Sequence, residues 1–405
     1  MNDAILNGIK VVELATYIAG PAAGVALADF GADVVKIEPP NRPDPYRGGH
    51  LRGGDSPRSE YPYAYIVDNR NKRGIALDIK TDAGREAFDR LIAQADIFIT
   101  NMPIPTRQRL TIDYDDIRKV NDSIVYASIS AYGEHGPEAD RPGFDSTALW
   151  ARTGLMDLVR PSPDSPPARS LAGMGDHPTA MSLYGAIMTG LFHRERTGEG
   201  SHVSTSLMAN GLWLNAVMAQ ATLCGAQVSG RAAREAAANP MHNLYETSDG
   251  RWIHLMFNTN LHRWPELAEL LGRTDIADDE RFNTQAARIK NSLQLIPILD
   301  AAFAARSCHE WLRLLDEHRF TYGDVRLTDD ILTDEQMIAS GALRAIDDPD
   351  AGASFIVDSP IRVERREKSA PTMPPEFGEH TEQVLRGIGY DDEGLAALRA
   401  AGAIS

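Results

Sequence analysis

Two aspartates in this sequence stand where a carboxylate could do chemistry. Asp176 follows Gly173-Met-Gly175 and precedes His177-Pro178. Proline suits the first turn of a helix, so this Asp marks a helix start. Read from the residues alone, it is a cap whose side chain accepts one of the free N–H groups. The two roles are compatible, because a helix N-terminus also keeps a carboxylate ionised, as a nucleophile must be. Asp145, directly after Phe144, reads from the residues alone as a plain structural Asp. Basic residues are scattered before and between these acids. Asn71-Lys72-Arg73 follows a strand-like run and, taken alone, is a solvated face. Asn101 and Met102 open a loop, and Arg109 stands about two helical turns along, where a guanidinium could grip a phosphate. Arg42 is a candidate of the same kind. His242 is a lone loop histidine. Cys224 and Cys308 lack CxxC spacing and metal-ligand company, so they read as two buried thiols in a reducing cytoplasm, with no metal site.

The elements that must position these residues alternate. Residues 9–14 read as a strand, 22–30 as a helix closed by Gly31, and 33–38 as a second strand. Strands at 74–79, 96–100 and 124–131 follow, with a helix at 81–94 that Thr81 caps. Such alternation predicts a parallel sheet covered by helices. It invites a dinucleotide reading with Glu38 as the ribose acid, but the loop Ala15-Thr-Tyr-Ile-Ala-Gly-Pro21 lacks GxGxxG, so NAD and FAD are set aside. Residues 178–193 read as a buried helix rich in small residues, 202–207 as a strand, and 209–223 as another apolar helix. The texture changes near 226: 227–239 is polar and linker-like, 243–257 is a hairpin around Ser248-Asp249-Gly250, and 260–318 is mostly helical. Residues 324–340 cross back, 353–363 is strand-like and 379–401 helical. The expected division is a large domain from 1–224, a small one from 225–325, and a return segment from 326–405.

Bulk properties narrow the partners. The 405 residues exceed what one core usually serves. With 43% hydrophobic and 24% charged residues the chain is globular in composition, and it carries a formal net charge of -16. An acidic protein repels phosphate backbones and anionic lipid, so nucleic acid and membrane surfaces are poor partners. The opening MNDAILNGIKVVELA has no basic segment followed by a long apolar one, so no signal peptide is expected. No run approaches the roughly 20 apolar residues of a membrane span.

Several stretches together resemble the family III CoA-transferases, the CaiB/BaiF group that includes formyl-CoA transferase and α-methylacyl-CoA racemase. The opening VVELATYIAGPAAGVALADFGADVVKIEPP is similar to that family's first βαβ unit. Asn69-Arg-Asn-Lys-Arg-Gly-Ile-Ala-Leu-Asp78 and Thr100-Asn-Met match in the same order. So do Tyr132-Gly-Glu-His-Gly-Pro, Arg141-Pro-Gly-Phe-Asp145, Gly175-Asp176, Arg196-Thr-Gly-Glu-Gly200 and Gly378-Glu-His-Thr-Glu-Gln-Val-Leu. Within the family, PGFDSTALWARTGLM and GMGDHPTAMSLYG look closest to the branch acting on 2-hydroxy acids and their enoyl partners, such as phenyllactate and cinnamate.

The resemblance implies an α/β fold with a Rossmann-like large domain and a smaller α+β domain, in two chains interlocked like links of a ring. It implies an enzyme that carries no tightly bound cofactor and takes acyl-CoA and a small carboxylic acid as substrates. Asp176 then matches the family's catalytic aspartate. Asp145 matches an acid near the nucleophile. The backbone N–H groups of Ile18 and Ala19 would face the reacting centre, where formyl-CoA transferase adds a Gln in place of Ile18. Tyr17, Ile18, Arg42, Asn71, Lys72, Arg73, Asn101, Met102, Arg109 and Phe144 are the implied CoA contacts. The racemases carry a His where Phe144 stands, and Phe144 cannot move a proton. An intramolecular CoA-shifting isomerase needs the same nucleophile and stays open; a non-catalytic CoA-binding subunit is at odds with Asp176. The run of glycines that covers the thioester in formyl-CoA transferase has no counterpart in 230–243, leaving Asn239-Pro-Met-His-Asn243 for that role or a more open site.

Overall fold

The computed structural model describes residues 4–48, 57–257 and 261–405, so the first three residues of the opening segment lie outside it. Strands β1 (Lys10–Leu14), β2 (Asp33–Glu38), β3 (Arg73–Ala76), β4 (Ile97–Thr100), β5 (Val125–Ser130) and β6 (Ser201–Ser206) form one sheet in the order β3-β2-β1-β4-β5-β6. Every pairing in it is parallel. Alternate residues feed two cores. Val12, Leu14, Val35, Ile37, Phe98 and Tyr126 face one way, and Val11, Val34, Ile97, Ile99, Val125 and Ala127 the other. Burial on both faces is why these strands read as near-continuous apolar runs.

Helices α1 (Ala19–Asp29), α2 (Tyr63–Asn69), α3 (Asp82–Ile92), α4 (Ile104–Leu110) and α5 (Tyr114–Val120) connect the strands. A short π-helical segment, Asp145–Ala151, and a turn of helix, α6 (Leu155–Leu158), precede α7 (Asp176–Thr197). Thr81 caps α3 as expected, its hydroxyl accepting the Gly84 N–H at 3.0 Å. Gly31 ends α1 with a φ of 93°, a conformation glycine adopts without a Cβ penalty. On one face of the sheet α1 and α7 pack through Ala22, Ala23, Leu27, Ala180, Leu183 and Ile187; on the other, α3 and α5 contribute Phe88, Leu91 and Ile117.

The helix expected to be buried throughout, α7, hides only the stripe Thr179, Ala180, Leu183, Ile187 and Gly190. That stripe recurs at three- to four-residue spacing, so one face meets the sheet while Phe192, on another, stays exposed. The next apolar stretch is two helices, α8 (Leu207–Leu214) and α9 (Ala216–Leu223), and α9 buries no residue. Cys308 is buried as expected; Cys224, just past α9, is exposed.

The chain divides into two units. The larger holds Met1–Leu155, Arg169–Gln220 and Glu335–Ser405, and the smaller Met156–Ala168 and Ala221–Asp334. The excursion Met156–Ala168 was not foreseen: its proline-rich sequence carries no periodic apolar signal. In the smaller unit β7 (His242–Glu246), β8 (Trp252–Met256) and β9 (Tyr322–Val325) make an antiparallel sheet, the first two joined through Ser248-Asp249-Gly250. Trp264, Phe282, Phe303 and Trp311 build its core. In the larger unit the returning chain begins with α10 (Glu335–Ala339), β10 (Leu343–Ala345) and β11 (Phe355–Val357), so the strand expected at 353–363 is three residues long, and it ends in helices α11 (Thr381–Gly387) and α12 (Asp392–Ala400). Val384, Leu385, Leu395 and Leu398 then join the sheet's core, and the His380 N–H donates to the Gly74 carbonyl on β3 at 2.9 Å. Among the described residues no helix is long and apolar enough to cross a membrane.

Candidate active site

In this strand order the chain runs outward from the centre in both directions, so β1 and β4 are neighbours whose following connections diverge. Open parallel sheets hold ligands at the carboxyl ends of such a pair. Two loops meet there. Asn101, just after β4, donates from Nδ2 to the Thr16 carbonyl at 2.6 Å and accepts the Thr16 N–H at 3.0 Å. Tyr17 follows in the left-handed region, with φ 64°, a strained backbone for a non-glycine residue. It is held by its N–H, which donates to Asp44 Oδ1 at 3.1 Å. Ile18 then caps α1 without any side-chain bond. Among the described residues, neither the Ile18 nor the Ala19 N–H has an acceptor, as expected at a helix start. These two N–H groups are free to meet negative charge.

Asp176 opens α7, yet it is not the cap. Gly175 holds the cap position and α7 has no side-chain cap bond. Among the described residues no donor bonds the Asp176 carboxylate at all. Burial, then the negative charge of Asp145, push its pKa up to about 7, while His177 pulls the other way. Asp145 is 7% exposed and accepts the Gly175 N–H at Oδ2, 3.2 Å, and the Ser146 N–H at Oδ1, 2.6 Å. A side chain on Gly175 would lie 2.8 Å from Asp145 Cβ and from Leu149 Cδ1, so the turn can close only with glycine. His177, next in sequence, places Nε2 2.9 Å from Asp68 Oδ1 on α2 and Nδ1 3.1 Å from the Gly173 carbonyl.

Beneath the β1 loop lies a buried ion cluster. Lys36 Nζ is 3.2 Å from Glu13 Oε1, 2.9 Å from Asp44 Oδ2, and donates to the Ala15 carbonyl at 2.9 Å. Lys72 Nζ is 2.8 Å from Glu13 Oε2 and donates to the Pro21 and Asp68 carbonyls, each at 2.8 Å. Burial lowers the pKa of Lys72, with Lys36 adding to the lowering and Glu13 opposing it.

The cluster corrects the phosphate assignment for Lys72, which is 4% exposed and spends its ammonium on protein oxygens. Its two neighbours are also engaged elsewhere. Asn71 donates to Asp29 and accepts from Thr372, and Arg73 pairs with Asp33 at 2.5 Å. Both stand at the amino ends of β2 and β3, the edge opposite the crevice, because a residue that starts a parallel strand cannot also stand at its carboxyl end. Arg42 and Arg109 do follow carboxyl ends, of β2 and β4, and both are exposed. Met102 is half-buried against the sheet's core. Tyr17 and Phe144 form an edge-to-face pair, centroids 6.0 Å apart at 84°, and are 39% and 60% exposed. Of residues 239–243, expected as a loop, His242 and Asn243 already belong to β7; Met241 just before it is buried, and His242 stacks on His254. Asp44 and Asp68 were not foreseen. Asp68 acts on a ring more than a hundred residues on, and Asp44, besides the nearby Tyr46 N–H, on the Tyr17 N–H twenty-seven residues back.

A model of CoA-transferase family III matches residues 6–381. A (R)-2-hydroxy-4-methylpentanoate CoA-transferase from Clostridioides difficile is 32% identical over 396 residues, spanning 96% of each chain. A cinnamoyl-CoA:phenyllactate CoA-transferase from Clostridium sporogenes is 29% identical over 403 residues, 98% of this chain and 96% of that one. The crystal structure of a CAIB/BAIF family protein from Brucella suis superposes with a TM-score of 0.84 at 28% identity, covering 95% of this chain and 99% of the other. A half-buried carboxylate at the start of α7, bonded by no donor among the described residues, is thus carried by a chain that matches one family along nearly its whole length: this protein belongs to CoA-transferase family III.

Proposed function

We propose that this CoA-transferase moves coenzyme A from an acyl-CoA thioester to a carboxylic acid through a covalent thioester on Asp176. The Asp176 carboxylate attacks the thioester carbonyl; the C–S bond breaks, giving a mixed anhydride and CoA thiolate. The thiolate attacks the aspartyl carbonyl and expels the donor acid as its carboxylate, leaving aspartyl-CoA. The acceptor carboxylate attacks this thioester, forming a second anhydride and freeing the thiolate. Thiolate attack on the acceptor's acyl carbon completes the transfer and restores the Asp176 carboxylate. No net proton moves, so no separate general base is required.

The observation that carries this reading is the Asp176 carboxylate itself, half-buried at the start of α7 and accepting no hydrogen bond from the described residues. A capping or structural acid would be spent on donors; a nucleophile must keep its lone pairs free. The Ile18 and Ala19 N–H groups at the start of α1 supply donors for the oxyanion that forms on each carbonyl. Arg42 and Arg109 are the proposed phosphate contacts. The exposed Tyr17–Phe144 pair beside Asp145 offers an aromatic wall, which suits acyl groups with apolar side chains. The names of the two relatives, a branched 2-hydroxy acid and phenyllactate, point to the same class.

Assembly is part of the reading. Trp213 and Val217 on α8 and α9 are 79% and 75% exposed, and a run of apolar side chains that open to water marks an interface. A second copy of this chain covers it in the proposed homodimer. The direct test of the nucleophile is Asp176→Ala. Transfer should fall more than ~10³-fold with melting temperature and CoA binding kept. Turnover within tenfold of wild type, a barrier change of only ~1.4 kcal/mol, would contradict it.

A further inference from the structure

The His177 ring is bound at both of its nitrogens. Nε2 lies 2.9 Å from Asp68 Oδ1 and Nδ1 lies 3.1 Å from the Gly173 carbonyl, which also accepts the His177 backbone N–H at 3.1 Å. The two ends differ in burial: the Asp68 side chain is 2% exposed and that of His177 47%. A buried carboxylate is costly unless paired, so Asp68 gives the ring a fixed anchor on α2. Gly173 sits at φ 80°, and a Cβ there would come within 3.1 Å of Nδ1 and 3.2 Å of Cε1. The ring is therefore packed flush against the backbone it bonds.

Asp176 stands between these contacts, in the turn 173–177. No bond to its own carboxylate fixes it, so its aim depends on that backbone. Asp145 holds the turn at the Gly175 N–H; His177 holds it at the Gly173 carbonyl. We propose that Asp68 and His177 act as one positioning unit, in which the ring, anchored on α2, clamps the Gly173 carbonyl and so aims the Asp176 nucleophile. This rests on the reading of Asp176 given above.

Both neighbours of the ring are acceptors, and a neutral imidazole has only one N–H. The pair must therefore hold a second proton, as imidazolium with carboxylate or as imidazole with a protonated Asp68. Burial pushes the Asp68 pKa up, with His177, Lys72 and Arg70 opposing. Burial alone would lower that of His177, but the bond and charge of Asp68, the Gly173 carbonyl and Asp176 raise it. Either arrangement closes the clamp and leaves the pair neutral. Neither leaves a ring nitrogen free to carry a proton to substrate, which makes the role one of positioning.

The test uses the full-length enzyme with a donor and acceptor that turn over, comparing His177→Ala, Asp68→Ala, the double variant and Asp68→Asn. Misplacing a nucleophile by about 1 Å costs up to ~100-fold. The two alanine variants should each lose roughly 30- to 100-fold in kcat with KM for acyl-CoA within about threefold. The double variant should be no worse than the weaker single, as expected of residues acting as a unit. Asp68→Asn can donate an N–H to Nε2 while Nδ1–H stays on Gly173, so kcat should remain within about fivefold of wild type. A merely structural pair would lower the melting temperature and leave kcat per folded site alone. His177→Ala within threefold of wild-type kcat, losses that multiply in the double variant, or Asp68→Asn as damaged as Asp68→Ala would each overturn the proposal. Because His177 is half exposed, His177→Ala decides the matter if Asp68→Ala does not fold. Failure of the nucleophile reading looks different: wild-type Asp176 would then form no thioester at all.

Discussion

Asp145 Oδ2 accepts the Gly175 N–H at 3.2 Å, so one carboxylate fixes the turn on which the other, Asp176, stands. The arrangement places two negative charges close together in a half-buried site. Burial comes first and Asp145 second among the causes that push Asp176 up to about 7. A nucleophile must be ionised, so activity is present above that pKa and lost as pH falls through it. The account predicts that kcat/KM for acyl-CoA rises with pH, with a midpoint near 7 that belongs to the free enzyme. Asp145→Asn keeps an acceptor for Gly175 and removes the charge, so the midpoint should move down by about one unit. A profile flat from about pH 5.5 to 8.5, or a midpoint unmoved by Asp145→Asn, counts against the coupling.

The proposed phosphate contacts separate by edge of the sheet. Arg42→Ala and Arg109→Ala should each raise KM for acyl-CoA about five- to tenfold and make it less sensitive to salt, since each removes one exposed charge from a phosphate site. Arg73→Ala, at the opposite edge and paired with Asp33, should change KM less than about twofold. Steady-state kinetics at two salt concentrations distinguish the cases, and an Arg73→Ala effect as large as that of Arg109→Ala would return the basic cluster at 71–73 to the site.

How much of this was legible beforehand depends on how local the signal is. The first βαβ unit and the start of α3 could be read because the apolar runs, the Gly31 stop and the Thr81 cap are all set by neighbours in sequence. The hairpin at Ser248-Asp249-Gly250 was legible for the same reason. Lys72 was not, because a charge run cannot say which member turns inward, and its partner Glu13 lies 59 residues away. The capping reading of Asp176 failed for a geometric reason: Gly175 takes the cap position, and Asp145, thirty residues upstream, binds its N–H. Asp68 was invisible because its partner ring comes from another segment, and Asp44 because its local bond to the Tyr46 N–H says nothing of its hold on Lys36 and Tyr17.

The exposed helices make a prediction about assembly. α8 and α9 expose Leu212, Trp213, Leu214, Val217 and Leu223, and α7 exposes Phe192. Light scattering should give the mass of two chains at sub-micromolar concentration. Trp213→Glu with Val217→Glu puts charge into the proposed interface and should give monomer or aggregate with activity lost. A monodisperse, fully active monomer of the wild-type chain would contradict the homodimer.

The central claim is that the carboxylate of Asp176 becomes covalently bound to CoA. Its most direct measurement is intact-protein mass after mixing wild-type enzyme with a donor acyl-CoA that demonstrably turns over, without acceptor, followed by hydroxylamine and peptide mapping. The account predicts a mass gain of one CoA less one water, conversion by hydroxylamine to a hydroxamate on Asp176, and neither signal in Asp176→Ala. Full transfer with that donor, no CoA adduct on rapid quenching and no hydroxamate on Asp176 would show that the carboxylate does not carry the group.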